Sequence, residues 1–241
     1  PYAMGYALSH GMNWTGGYRI ISVVQFGLVA VLFASLPLWK RRSDMANEKK
    51  SEPLPLRKAL GMPGAKEMML CFFCYSAVEQ TTGLWAASYL NGARDFSAEV
   101  SASLAGLFFV GITVGRALSG FVTMRLSDDQ MIRLGLCIIL VGIFLLFLPV
   151  KTLSLAGLVA IGLGCAPVYP CIIHSTPERF GAENSQAFVG IQMASAYIGT
   201  TLMPPLFGLV ARNLGVSLLP VYLILFLSLM LSMHLKLTKI T

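Results

Sequence analysis

Residues 132–149 read IRLGLCIILVGIFLLFLP. After Arg133 no charged side chain interrupts the run, and as a helix rising 1.5 Å per residue it would be about 27 Å long. That nearly spans the hydrocarbon core of a bilayer, which needs about 20 apolar residues. A helix apolar on every side is unsuited to a soluble surface. Six further stretches share this length and apolar character: 18–39, 67–90, 101–124, 154–176, 185–211 and 216–235. Of the 241 residues 56% are hydrophobic and only 12% charged, about half the charged fraction of a soluble domain. None of the runs alternates as barrel strands do, so helices are left to satisfy the backbone in lipid. The expected fold class is therefore all-α, a polytopic membrane helix bundle.

The formal net charge of +7 does not mark a nucleic-acid partner, because its distribution follows the membrane. With the first span running inward, the inner loops collect Lys40, Arg41, Arg42, Lys49, Lys50, Arg57, Lys58, Lys66, Arg125, Arg133, Arg179, Lys236 and Lys239. The outer side keeps Arg19, Arg94, Lys151 and Arg212. Positive charge is retained on the cytoplasmic face, so the linker and C-terminus are expected to be cytoplasmic, in a multi-pass protein of the cell's inner (plasma) membrane. The lipid bilayer is the first expected partner.

The five cysteines all fall within spans and read as apolar filling. CFFC at 71–74 has no second ligand pair to make a zinc site. Neither a metalloprotease helix motif nor a nucleotide-binding loop occurs, so no metal, no cofactor and no enzymatic activity are expected. Pro1 in place of an initiator Met leads us to expect a fragment.

Three segments follow. Residues 1–39 hold an outer loop and one span. Residues 40–66 form a charged, proline-bearing linker with a short helix expected around Leu56 to Leu60. Residues 67–241 hold six spans joined by short loops. Ordered by polarity, those six run polar, polar, apolar, then polar, polar, apolar. Inverted three-helix repeats of this kind build one half of many transporters.

Residues 111–135, GITVGRALSGFVTMRLSDDQMIRLG, resemble the cytoplasmic turn between the eighth and ninth helices of the major facilitator superfamily. Gly115, Arg116, Gly120, Arg125 and Arg133 carry the likeness, while Met124 and Ser127 depart from it. GLGCAPVYPCIIHSTPERFG (162–181) is similar to that family's tenth helix, and SAYIGTTLMPPLFGLVA (195–211) to its eleventh. With SAVEQTTGLWAASYL (76–90) they resemble the fucose-permease-like branch. The resemblance implies a six-helix C-terminal half plus one preceding helix, the six-helix N-terminal half being a missing partner. It also implies secondary active transport of a small-molecule substrate, a small organic solute such as a sugar, by proton-coupled alternating access. Drug or metabolite efflux by the same fold is the alternative. A non-transporting scaffold ranks below both, and so does an intramembrane protease, since ALSG at 117–120 has Ala117 where such an enzyme needs glycine.

Glu79 lies at the middle of its span. Ionised, it costs about 2.5–3.5 kcal/mol on insertion scales; neutralised at pH 7 it costs about 3.7 kcal/mol. The two states are close, which suits a group that changes protonation during transport. Helical spacing sets Tyr75, Glu79, Thr82, Ala86 and Tyr89 on one stripe with Gln80 beside it. The expected substrate-binding set is Glu79, Gln80, Tyr75, Thr82 and Trp85, joined by Tyr169 and Gln192 from proline-bearing spans whose freed carbonyls suit a cavity. Two other readings stay open: Glu79 as a structural carboxylate, and Trp85 with Tyr89 as an outer aromatic belt. The family-like position of Arg116 implies a gating role, with Arg125, Asp128, Asp129, Glu178 and Arg179 as inner-gate ion pairs or a solvated loop. Gly111 and Gly115 match GxxxG and predict close helix packing. His174 reads as a polar anchor at the inner end of its helix.

Overall fold

A computed structural model of the chain describes residues 14–46 and 55–240. No strand occurs among them, and the chain forms an all-α membrane helix bundle. Helix α1 (Trp14–Ala46) belongs to one compact unit, and the helices from Leu54 onward to a second.

Helix α1 is 33 residues long and carries Pro37 within it. Its side chains Val23, Phe26 and Phe33 are exposed, as an apolar helix tolerates only where the solvent is not water. The helix continues to Ala46, into the charged segment expected to link the halves. SDMA at 43–46 contains no glycine or proline, and such a stretch lets a helix propagate. The cluster Lys40, Arg41 and Arg42 lies there, and Lys49 and Lys50 lie outside the described residues.

In the second unit, α2 (Leu56–Gly61) is the expected short helix and ends where Met62 turns extended ahead of Pro63. Helix α3 (Ala65–Arg94) starts after Gly64, whose φ of 85° is open to glycine. A capped turn, α4 (Ala98–Leu104), leads into α5 (Gly106–Val122). Helix α6 (Asp128–Phe147) opens on a capping box between Ser127 and Gln130, and α7 (Lys151–His174) contains Pro167 and Pro170. The short α8 (Thr176–Phe180) precedes α9 (Ser185–Leu214), which stops at Gly215; a 3-10 turn then leads into α10 (Leu219–Ile240).

Five segments are long and apolar enough to cross a membrane: Ala98–Val122, Asp128–Phe147, Lys151–Phe180, Ser185–Leu214 and Val216–Ile240. The other two expected spans, 18–39 and 67–90, lie in helices as well but fall outside that set. Helix α3 has the length, at 30 residues, but Glu79, Gln80 and its threonines dilute the hydropathy. In α1 the apolar stretch Ile21–Pro37 is shorter than the others.

Helix α3 packs against α9 and α10, and α7 packs against α5 and α6. The first helix of each polarity triplet thus sits with the last two of the other. Lesser contacts of α3 with α7 and of α10 with α6 join the two groups. Glycine sets the α5–α7 spacing. A Cβ on Gly115 would lie 2.6 Å from Ala166 Cβ and 2.8 Å from the Leu163 carbonyl, and one on Gly111 would strike the Val159 carbonyl. The expected close packing is therefore α5 on α7.

Candidate functional site

The stripe on α3 is the starting point. Tyr75, Thr82, Ala86 and Tyr89 are buried, while Glu79 and its neighbour Gln80 are half-buried. Most of the stripe thus faces other helices, and Glu79 stands at its border. The reason is the environment of α3: with α9, α10 and α7 around it, most of its circumference is an interface.

The polar groups of that stripe are satisfied internally, as groups in a dry interior must be. The Tyr75 hydroxyl donates to the Cys165 carbonyl of α7 at 3.2 Å, and Thr82 donates to Val78 one turn back at 2.7 Å. The Tyr89 hydroxyl donates to the Leu146 carbonyl at 2.5 Å, with Arg94 over its ring at 5.1 Å. Tyr89 is therefore an interior residue, and the belt reading is corrected for it. Trp85 is half-buried, donates from Nε1 to the Pro204 carbonyl at 3.0 Å, and meets Phe207 edge-on. It lines a separate hollow of about 340 Å³ with Leu84, Ser88, Pro204 and Pro205.

Glu79 is placed differently. Its carboxylate sits beside the Tyr75 hydroxyl and within electrostatic reach of Arg116 from α5. Arg116 is exposed and lies on the wall of a cavity of about 840 Å³ formed by α5, the 123–128 turn and the inner half of α7. Tyr169 of α7 lines the same cavity, its ring 6.2 Å from Tyr75 and 5.1 Å from Phe72. Its hydroxyl donates to Met193 Sδ of α9 at 3.3 Å. Three helices thus bring Glu79, Tyr75, Arg116 and Tyr169 into one neighbourhood.

Gln192 is not part of it. Its side chain is fully enclosed, with Nε2 donating to the Thr176 hydroxyl at 2.9 Å. The expectation that Gln192 faces a pathway is corrected, and Thr82, also fully enclosed, leaves the candidate site with it. Both are polar residues in apolar helices, but each has an internal partner that accounts for it.

The inner ends of the helices carry a charge cluster. His174 Nδ1 lies 2.7 Å from Asp128 Oδ2, tying the end of α7 to the start of α6. Arg179 on α8 pairs with Asp129, which also lies 3.7 Å from His234 Nε2 of α10. Lys236 pairs with Glu67 across α10 and α3 at 2.6 Å. Arg125 is exposed, with no ion pair among the described residues, and Glu178 is exposed and lines the cavity. Of the charges expected to pair in these loops, Asp129 and Arg179 do so with each other; Asp128 takes His174 instead. His234, Lys236 and Met193 were not anticipated. A histidine inside the apolar run SLMLSMHL was the available signal for the first of them.

Four of the five cysteines are buried and Cys137 is exposed, all as free thiols. Among the described residues, no cluster of His, Cys, Asp and Glu has the makings of a metal site.

A family model described as Major Facilitator Superfamily matches residues 68–239, from α3 to the end of α10. The chain belongs to the Major Facilitator Superfamily. It is a multi-pass membrane protein of that superfamily. It is also 25% identical over 166 residues to "Bypass of stop codon protein 6" of Saccharomyces cerevisiae (strain ATCC 204508 / S288c), an alignment covering 63% of this chain and 33% of the yeast protein. The chain thus spans about a third of the length of that relative.

Proposed function

We propose that this superfamily chain is the C-terminal part of a secondary active transporter. In this reading residues 1–39 end the N-terminal half, 40–66 link the halves, and 67–241 form the C-terminal six-helix bundle. The linker and C-terminus lie on the cytoplasmic side of the plasma membrane. The transporter moves a small organic solute by alternating access, as a proton symporter of the fucose-permease-like branch. Drug or metabolite efflux on the same fold is the second reading; the ring of Tyr169 on the cavity lining, backed by Phe72 and Tyr75, favours it.

The observation that carries the proposal is that Glu79 lies within electrostatic reach of Arg116, which lines a cavity. Groups of this kind inside a membrane protein mark substrate or proton routes because their insertion is costly. In the proposed cycle Glu79 is the proton-coupled group, Gln80 and Tyr75 position it, and Tyr169 contacts solute. Trp85 belongs to an outer vestibule. Asp128, Asp129, Glu178, Arg125 and Arg179 form the inner gate, whose contacts change as access alternates.

Proteoliposome uptake of labelled sugars under an imposed pH gradient tests this. Glu79→Gln should abolish gradient-driven accumulation while leaving solute exchange at equal pH. Uptake identical to the parent protein at every pH rules out the coupling role.

A further inference from the structure

The cavity beside Arg116 has a chemistry of its own. Arg116, Ser119 and Gly120 of α5, with Thr123 at its C-cap, form one stripe that lines the cavity with Pro167, Tyr169, Pro170 and His174 of α7. Arg116 makes no ion pair within 4.0 Å among the described residues. The other charges lining the cavity differ: His174 and Asp128 take each other, and Glu178 is exposed. The lining thus holds one guanidinium with no ion pair within 4.0 Å among the described residues, on which Glu79 acts from further away.

Its hydroxyls have a direction too. Ser119 donates to the Arg116 carbonyl at 2.9 Å, Thr123 to the Gly120 carbonyl at 3.2 Å, and Tyr169 to Met193 Sδ at 3.3 Å. With their hydrogens committed, these oxygens offer lone pairs. A solute that fits must bring O–H donors for them and an anion for Arg116. A guanidinium is matched best by a planar carboxylate held through two parallel hydrogen bonds.

We infer that this cavity takes a polyhydroxylated monocarboxylate, a sugar acid, with its carboxylate on Arg116 and its hydroxyls on Ser119, Thr123 and Tyr169. The inference rests on the transport reading and deepens it by naming the solute class. It also gives Glu79 a role. The groups facing Glu79 are Tyr75 on its own helix, Arg116 from α5 and Cys165 from α7. When Glu79 is ionised it competes with the solute carboxylate for the field of Arg116; when it is protonated the competition ends. Proton and sugar acid then strengthen each other's binding by the same factor, as linkage requires.

Thermal unfolding of the purified protein in detergent, with galacturonate and gluconate as probes, tests the class. Galactose and glucose serve as neutral counterparts and hexanoate as a carboxylate without hydroxyls. The acids should raise the melting temperature at concentrations where the other three do not. In Arg116→Gln the galacturonate affinity should fall about tenfold or more, the size of a lost charge-assisted pair. Lowering the pH from 7.5 to 5.5 should tighten galacturonate binding to the parent protein, and Glu79→Gln should bind tightly at both pH values. The melting temperature of each unliganded variant checks that its fold is intact. Should Arg116→Gln not fold, Arg116→Lys reads the same position, with a smaller loss because the charge remains. Equal shifts from the neutral sugars, undiminished binding in a folded Arg116→Gln, or no shift from either acid would each overturn the class. Accumulation of a neutral sugar that depends on Glu79, without any response to the acids, would leave the transport reading standing and overturn this one alone.

Discussion

Substituting Gly115 by alanine separates helix packing from helix propensity, because Gly120 on the same helix provides a matched control. A Cβ at Gly115 would sit 2.6 Å from Ala166 Cβ and 2.8 Å from the Leu163 carbonyl, whereas one at Gly120 meets nothing within 4 Å. Carbon atoms in good contact lie about 3.5–4.0 Å apart, so Gly115→Ala forces α5 and α7 apart by roughly 1 Å. Neither obstacle is the end of a flexible side chain, and overpacking of this kind costs about 1–3 kcal/mol. Both variants gain the same propensity of about 0.8–1.0 kcal/mol on replacing glycine within a helix. The two should therefore differ by about 1–3 kcal/mol. At about 2–4 °C per kcal/mol for a domain of this size, that is about 2–12 °C in melting temperature, Gly115→Ala being the lower. Intrinsic fluorescence during a thermal ramp reads both. Arg116 follows Gly115 in sequence, so a widened α5–α7 seam also displaces the guanidinium from Tyr169 and weakens solute binding. A Gly115→Ala protein as stable as Gly120→Ala refutes the close approach of the two helices.

The enclosed pair of Gln192 and Thr176 should respond asymmetrically. Thr176→Val strands the amide that donates to it and should cost about 1–3 kcal/mol. Gln192→Leu should cost less, because Thr176 keeps its bond to the Ile172 carbonyl at 3.0 Å. The double variant should approach the parent in chemical denaturation, and simple addition of the two costs would contradict the pairing. Asp129→Asn removes the charge opposite the largely buried Arg179 and should cost about 1–3 kcal/mol in the same assay. Glu178→Gln, at an exposed site, should stay within about 0.5 kcal/mol. Equal effects of the two would deny Asp129 and Arg179 a stabilising contact.

The helices were legible in the sequence wherever one solvent acted on the whole segment. Runs such as 132–149 and 216–235 are apolar on all sides and need no knowledge of their neighbours. Helix α3 was harder, since the features that make it interesting lower its hydropathy below that of a plain span. Helical spacing put Tyr75, Glu79 and Thr82 on one stripe, but it carries no information about whether that stripe meets a helix or a cavity. A hydrogen bond to a carbonyl of α7 answers the question for Tyr75, full enclosure answers it for Thr82, and a partner on another helix answers it for Gln192. The glycines of α5 were readable as packing positions because small residues are what close helices need. The placement of Arg116 near Glu79 depends on how α5 lies across α7 relative to α3, which spacing within one helix does not encode.

The central claim is that the Glu79 carboxylate borders a water-filled route for solute, and cysteine accessibility at that position tests it directly. In the full-length protein with its cysteines replaced, the five of this chain among them, Glu79→Cys in proteoliposomes should react with a charged, membrane-impermeant thiol reagent. A bound solute should slow that reaction. Labelling by a lipid-soluble maleimide but never by the charged reagent, with or without solute, would place Glu79 in a sealed interior and contradict the account.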